Sequence, residues 1–117
     1  MRTLSFDVDG QIIKKNENCN FDNIVPGTKG YLQARFSFSN EWKDTVRVAE
    51  FTRGRYECTP QILDNGTTCI IPEDALTNRE FSIRVIGRRG DDFTIVTNRI
   101  SVRQEGGMTQ EESNRVV

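Results

Sequence analysis

Along most of this chain, hydrophobic and polar residues alternate with a period of two. Leu4, Phe6 and Val8 alternate with Thr3, Ser5 and Asp7. Leu32, Ala34, Phe36 and Phe38 alternate with Gln33, Arg35, Ser37 and Ser39, and Phe81, Ile83 and Val85 alternate with Ser82, Arg84 and Ile86. Side chains that change face at every residue mark half-buried strands. The same reading places shorter strands at Thr45–Thr52, Arg55–Cys58, Pro60–Asp64 and Thr67–Ile71, with a last pair at Phe93–Thr97 and Arg99–Arg103.

Turn chemistry separates these segments. Asp9-Gly10 and Asn65-Gly66 are the dipeptides that type I′ hairpin turns favour, because both central residues need positive φ. A two-residue turn at Asp9-Gly10 sets Phe6 opposite Ile13, both facing the core, and points Asp7 to solvent. Arg88-Arg89-Gly90-Asp91-Asp92 reads as a longer polar loop. In two places the inward parity slips by one residue, from Val46/Val48 to Ala49/Phe51 and from Phe93/Ile95 to Ile100/Val102. One extra residue in a strand restores register, so bulges or bends are expected near Ala49 and Asn98.

Helical patterning is nearly absent. Pro72-Glu73-Asp74-Ala75-Leu76 suits a single turn, with Pro at the first helical position and acids beside it. Asn16–Gly30 is polar and reads as a long loop. Gly106-Gly107 ends the last strand, and Thr109-Gln110-Glu111-Glu112 has the form of a capping box opening a short helix. The expected organisation is a β-sandwich over residues 1–105 and a flexible or helical tail over 106–117. Regularly spaced short strands favour an all-β sandwich of about seven to nine strands. Its core is expected from Phe6, Ile13, Phe36, Phe38, Trp42, Phe51, Ile71, Leu76, Phe81, Ile83, Val85, Ile95 and Ile100.

Composition narrows the chemistry. The 117 residues suit one domain, which at this size buries roughly 65% of the surface of its unfolded chain. The net charge of −1 argues against a broad nucleic-acid surface. No apolar run reaches the ~20 residues of a membrane helix, and no signal-peptide stretch opens the chain, which implies folding in a cytoplasm. The three cysteines, Cys19, Cys58 and Cys69, form no CxxC pair and read as reduced thiols, Cys69 as a buried small hydrophobe. There is no histidine, which removes the commonest general base and metal ligand.

The stretch LSFDVDGQII sets Asp7 and Asp9 at the spacing of the D-x-D-G-T signature of haloacid-dehalogenase-like phosphatases, and Asp91-Asp92 would stand for the late acidic pair. Gln11 replaces the Thr, and the segment alternates where a central parallel strand should be continuously apolar. No helix follows it either. A motif without its structural context is weak, so the hairpin reading is preferred. The Arg89-Gly90-Asp91 tripeptide and the Asn65-Gly66-Thr67 sequon are likewise better read as turns. Arginines 35, 47, 53, 55, 84, 88 and 89 could gather on one face, but a balanced surface fits the net charge better. Trp42 reads as a core plug at a strand corner rather than a sugar platform. No catalytic residue, metal site or cofactor is expected.

Phe36-Ser37-Phe38-Ser39-Asn40-Glu41-Trp42-Lys43, Ala49-Glu50-Phe51, Cys69-Ile70-Ile71-Pro72-Glu73-Asp74-Ala75-Leu76, Phe81-Ser82-Ile83-Arg84-Val85-Ile86-Gly87 and Thr97-Asn98 carry a further resemblance. Their order resembles small immunoglobulin-like β-sandwich modules of phages and prophages of Gram-positive bacteria, over about Leu32 to Val102. Such modules occur at the N-terminal part of baseplate upper proteins, head fibres and other virion appendages. The resemblance implies an immunoglobulin-like, antiparallel sandwich that docks to other virion proteins or to a host protein and is carried in the virion. Expected contact loops are Asn16–Gly30, Arg53-Gly54-Arg55 and Arg88–Asp92, with Arg53, Arg55, Arg88, Arg89, Asp91 and Asp92 as candidate contacts. The C-terminal segment is a candidate for self-assembly into a homo-oligomer. Two alternatives are a soluble phage inhibitor of a host defence or regulatory protein, and a carbohydrate-binding module on the host surface. Tyr31, Trp42 and Tyr56 would then be its aromatics.

Overall fold

The computed structural model describes residues 1–104. Ten strands run in order: β1 (Arg2–Asp9), β2 (Ile12–Lys15), β3 (Leu32–Phe38), β4 (Val46–Arg53), β5 (Tyr56–Glu57), β6 (Gln61–Ile62), β7 (Thr68–Ile70), β8 (Glu80–Arg89), β9 (Phe93–Val96) and β10 (Ile100–Arg103). They build two sheets, one ordered β2-β1-β3-β7 and one ordered β10-β8-β4-β5, with β6 also on β4 and β9 on β8. The all-β reading holds, with more strands than the seven to nine expected, because the short β5 and β6 segments pair separately with β4. The tail expected over 106–117, including the capping-box helix, lies outside the described residues.

The core is the product of the alternation. Leu4, Phe6, Val8, Leu32, Ala34 and Phe36 point inward from the smaller sheet, and Ala49, Phe51, Phe81, Ile83, Val85 and Val102 from the larger. Of the expected core, Phe6, Ile13, Phe36, Trp42, Phe51, Ile71, Leu76, Phe81, Ile83 and Val85 are buried. Phe38, Ile95 and Ile100 are partly buried and pack against them. Rings stack through the smaller sheet, with Phe6 and Phe36 centroids 5.4 Å apart and Phe38 and Trp42 5.0 Å apart.

Three expectations need correction. First, β1 and β3 are parallel, from Arg2↔Leu32 to Val8↔Phe38, so the sandwich is not antiparallel throughout. The chain returns from β1 along β2 and then crosses beyond β1 before starting β3. The crossing segment, Asn16–Tyr31, is not merely polar: Ile24 is buried and Phe21 packs edge-on to Phe6 at 5.4 Å. Arg2 fastens it by donating from its guanidinium to the carbonyls of Asn20, Asp22 and Asn23.

Second, the first hairpin turns at Gly10-Gln11 rather than Asp9-Gly10, because Asp9 pairs with Ile12. Val8, not Phe6, therefore faces Ile13, and Phe6 faces Lys15. Gly10 alone has positive φ (56°) there, the distribution of a type II′ turn rather than I′. Asn65 and Gly66 do both take positive φ, at 51° and 72°, as the dipeptide predicts.

Third, β4 keeps one register against β8 from Val46↔Arg88 to Thr52↔Ser82, so there is no bulge at Ala49. Val46 and Val48 instead point outward. The slip near Asn98 is present: Ile86 pairs with Val96 but Ile83 with Ile100, so four steps on one side match three on the other. Thr97 repairs the break, its Oγ1 accepting from Val85 N–H at 3.0 Å and donating to Asn98 O at 2.8 Å. Asn98 then ties the two sheets together. Its Oδ1 accepts from Ile13 N–H at 2.9 Å and its own N–H donates to Gln11 O at 3.0 Å.

Two single turns of 3-10 helix complete the body, at Asn40–Trp42 and Glu73–Ala75. The second is the turn expected after Ile71, with Pro72 at its N-cap rather than its first position. The first presents Trp42, fully buried, to the hairpin at Gly10. Its Nε1 donates to Gly10 O at 2.8 Å, and Gly10 N–H donates to Ser39 Oγ at 2.9 Å. Opposite the ring lies Gly87, where only a hydrogen fits: a Cβ would sit 2.7 Å from Trp42 Cζ3.

Candidate interaction surface

The loops expected to share a contact face are divided between the two ends of the molecule. Arg53 closes the β4–β5 hairpin opposite Tyr56, with Gly54 and Arg55 at its tip. Arg88 and Arg89 lead into the β8–β9 hairpin, where Arg89 pairs with Phe93 and Gly90, Asp91 and Asp92 form the exposed tip. Because β4 and β8 are antiparallel with Val46 beside Arg88 and Thr52 beside Ser82, these hairpins lie at opposite ends of one sheet. Asn16–Gly30 joins the Arg53 end: Gly27 N–H donates to Leu76 O at 2.8 Å, and Arg53 Nε donates to Asp74 O at 3.0 Å.

Several arginines of the expected stripe are engaged individually. Arg47 donates to Thr45 Oγ1 at 3.0 Å, Gly66 O at 2.9 Å and Trp42 O at 2.6 Å, and its guanidinium lies 4.3 Å over the Phe38 ring. Burial pushes its pKa below the usual arginine value. Arg53 covers Tyr56, Arg89 covers Phe93, and Arg84 pairs with Glu50 at 2.6 Å. A shared arginine stripe is therefore not formed.

Asp7 and Asp9 are exposed on the outer face of the smaller sheet. Asn16 Nδ2 donates to both Asp7 carboxylate oxygens, at 3.2 and 3.1 Å, and Lys14 is the cross-strand neighbour. β1 is central and parallel to β3, as the phosphatase motif would ask, but it runs into the β2 hairpin and not into a helix. Among the described residues no three His, Cys, Asp or Glu side chains cluster as metal ligands. Buried Trp42 offers no platform to a sugar, whereas Tyr31 and Tyr56 are exposed rather than core residues. No helix among the described residues is long and apolar enough to cross a membrane.

Two thiols are masked. Burial pushes Cys69 up to about 12, with Asp64 adding to it. Cys58 is also raised, by burial first and then Asp74, with Arg53 opposing. Cys19 is half-buried, its Sγ accepting from Ser5 N–H at 3.3 Å along the β1 edge that β2 leaves uncovered.

The surface that sequence reasoning missed lies on the outer face of the larger sheet. Ile62, Val48, Ile86 and Val96 are direct cross-strand neighbours and form one aliphatic row across four strands. Val46 lies beside that row, 65% exposed, and Ile62 is 71% exposed. A concavity of about 250 Å³ follows Val46, Val48 and Ile86 to Arg88 and Gly90. The other half of the same face is polar, with the Glu50–Arg84 pair and a 2.6 Å hydrogen bond between Thr52 and Ser82. The signal was the slip at Ala49, which two outward valines explain without an inserted residue. Comparison with protein-family models, with curated proteins and with solved structures gave no match.

Proposed function

We propose that the chain is a non-enzymatic binding module that works by protein–protein contact through the outer face of its larger sheet. The aliphatic row of Ile62, Val48, Ile86 and Val96 carries this reading. An outward face should alternate to polar residues, and a contiguous apolar patch with a polar border is characteristic of a docking surface. The polar Glu50–Arg84 half supplies such a border.

The module is of the immunoglobulin-like type of phage virion appendages, and its partner is another virion protein. Support comes from where the resemblance residues sit. Phe36, Trp42, Phe51, Ile71, Leu76 and Phe81 are buried, and Thr97-Asn98 hold the junction of the sheets. The shared residues are thus those that fix this sandwich.

The test is particle composition. The chain is expected in purified virions by mass spectrometry, and a Val46→Lys/Ile62→Lys variant is expected to keep its unfolding midpoint but to be absent from particles. Exposed substitutions of this kind change stability by about 0.5 kcal/mol or less. Parent chain missing from particles sinks the virion reading. Normal incorporation of the folded variant sinks the assigned face.

A further inference from the structure

The smaller sheet has an unfinished edge. In β3, Ser39 N–H donates to Val8 O at 2.9 Å, so the main-chain groups at odd positions face β1. Even positions face β7: Leu32 O accepts from Ile71 N–H at 2.9 Å, and Phe36 N–H donates to Thr67 O at 2.8 Å. There the pairing stops. The β3–β7 ladder ends at Arg35↔Thr68, and Thr67 N–H turns to Asp64 O at 3.0 Å instead of answering Phe36 O. Phe38, the next even position, has no strand opposite it.

A groove of about 540 Å³ runs along this edge. Its walls include Arg35, Lys43 and Arg47 and no carboxylate. Arg35 and Lys43 are exposed and stand towards opposite ends of the Phe36–Asn40 stretch. Arg47 has spent its donors on Thr45, Gly66 and Trp42, so it fixes the wall over Phe38 and adds charge without needing a ligand.

We propose that this edge takes up an extended acidic peptide segment of a partner protein, laid in line with β7 beside Phe36–Phe38. The two kinds of group present select that occupant. Free main-chain donors and acceptors at a strand edge pair with another extended chain, the mode of strand addition. Cations at both ends favour carboxylates on that chain, and charge complementarity at such a rim sets partner choice and encounter rate. The groove belongs to the smaller sheet and is separate from the aliphatic row, so it stands or falls independently of the virion assignment.

Fluorescence anisotropy on the intact chain provides the test. The probes are a labelled octapeptide alternating Glu and Val, its Lys-Val counterpart, and two Glu-Val peptides N-methylated on one or the other set of alternate amides. The Glu-Val peptide is expected to bind. The Lys-Val exchange, methylation of one of the two amide sets, and the Arg35→Glu/Lys43→Glu variant are each expected to weaken binding at least tenfold. Amide resonances of Phe36–Phe38 should shift on binding, whereas those of the β9–β10 junction should not. Saturable binding by neither acidic peptide nor its analogues at millimolar concentration overturns the proposal. So does equal binding of both methylated peptides, which removes strand pairing, or full displacement by inorganic polyphosphate, which reduces the groove to an anion site. Circular dichroism of the Arg35/Lys43 variant checks its fold, since both side chains are exposed.

Discussion

A methyl group added at Gly87 has nowhere to go. Its Cβ would lie 2.7 and 2.8 Å from Trp42 Cζ3 and Cε3 and 3.1 Å from Thr45 Oγ1. The ring cannot slide aside, because it is fully buried and its Nε1 is held by Gly10 O at 2.8 Å. Gly87 is not among the glycines with positive φ, so the backbone itself accepts alanine and the cost is one of packing. Overpacking a full core costs about 1–3 kcal/mol, and this site belongs in the upper half of that range. Alanine recovers roughly 0.5–1 kcal/mol over glycine in a strand. The balance for Gly87→Ala is a loss of about 1–2.5 kcal/mol, or a midpoint lower by ~5–15 °C at 4–8 °C per kcal/mol. Urea and thermal unfolding followed by far-ultraviolet circular dichroism measure it, in the parent and in a Trp42→Phe background that removes both clashing atoms. The penalty should vanish in that background, leaving a coupling above about 1 kcal/mol. A Gly87→Ala variant within 0.5 kcal/mol of the parent, or an equal penalty in both backgrounds, refutes the packing argument.

Other expectations test the remaining joints. Asn98→Ala should cost about 1–3 kcal/mol by stranding the N–H of buried Ile13, and hydrogen exchange should quicken at that amide. Thr97→Val should cost a similar ~1–3 kcal/mol through Val85 N–H, whereas Thr97→Ser should stay near the parent in the same denaturation assay. Arg47→Lys should destabilise by about 1–3 kcal/mol, because one ammonium cannot reproduce a fork reaching Thr45, Gly66 and Trp42; equal midpoints would contradict this. Cys69 titrates near 12 when folded and near 9 when unfolded, so the unfolded chain loses its proton first and stability must fall as pH rises between these values. The slope is at most about 1.4 kcal/mol per pH unit, and Cys69→Ala should remove it from alkaline denaturation curves.

Much of the architecture was legible in the alternation. It located the strands, the inward rings from Phe6 to Val85 and the register break at Asn98, because face and period are local properties of a strand. Partner choice is not local. Nothing in Leu4–Val8 distinguishes a neighbour lying parallel from one lying antiparallel, so the β1–β3 pairing was missed. Ile24 and Phe21 escaped notice because a tethered loop has no period to betray its anchors. The interaction face was half visible: Val46 and Val48 were seen to be out of step, but only the pairing with Ile62, Ile86 and Val96 turns them into a row. Arg47 looked like surface charge, since sequence does not reveal which carbonyls a guanidinium will meet.

The parallel marriage of β1 and β3 also dictates a timetable. Hairpins such as β8–β9 can zip from their own turns in microseconds. The β1–β3 ladder links residues thirty positions apart, from Arg2–Leu32 onward, and no tight turn can seed it. Its formation must await the placement of Phe21 and Ile24, which bring the intervening chain around the end of the barrel-like body. Loop-closure entropy is thereby spent before the ladder returns any bonding, which puts this protein among the millisecond-to-second folders of non-local topology.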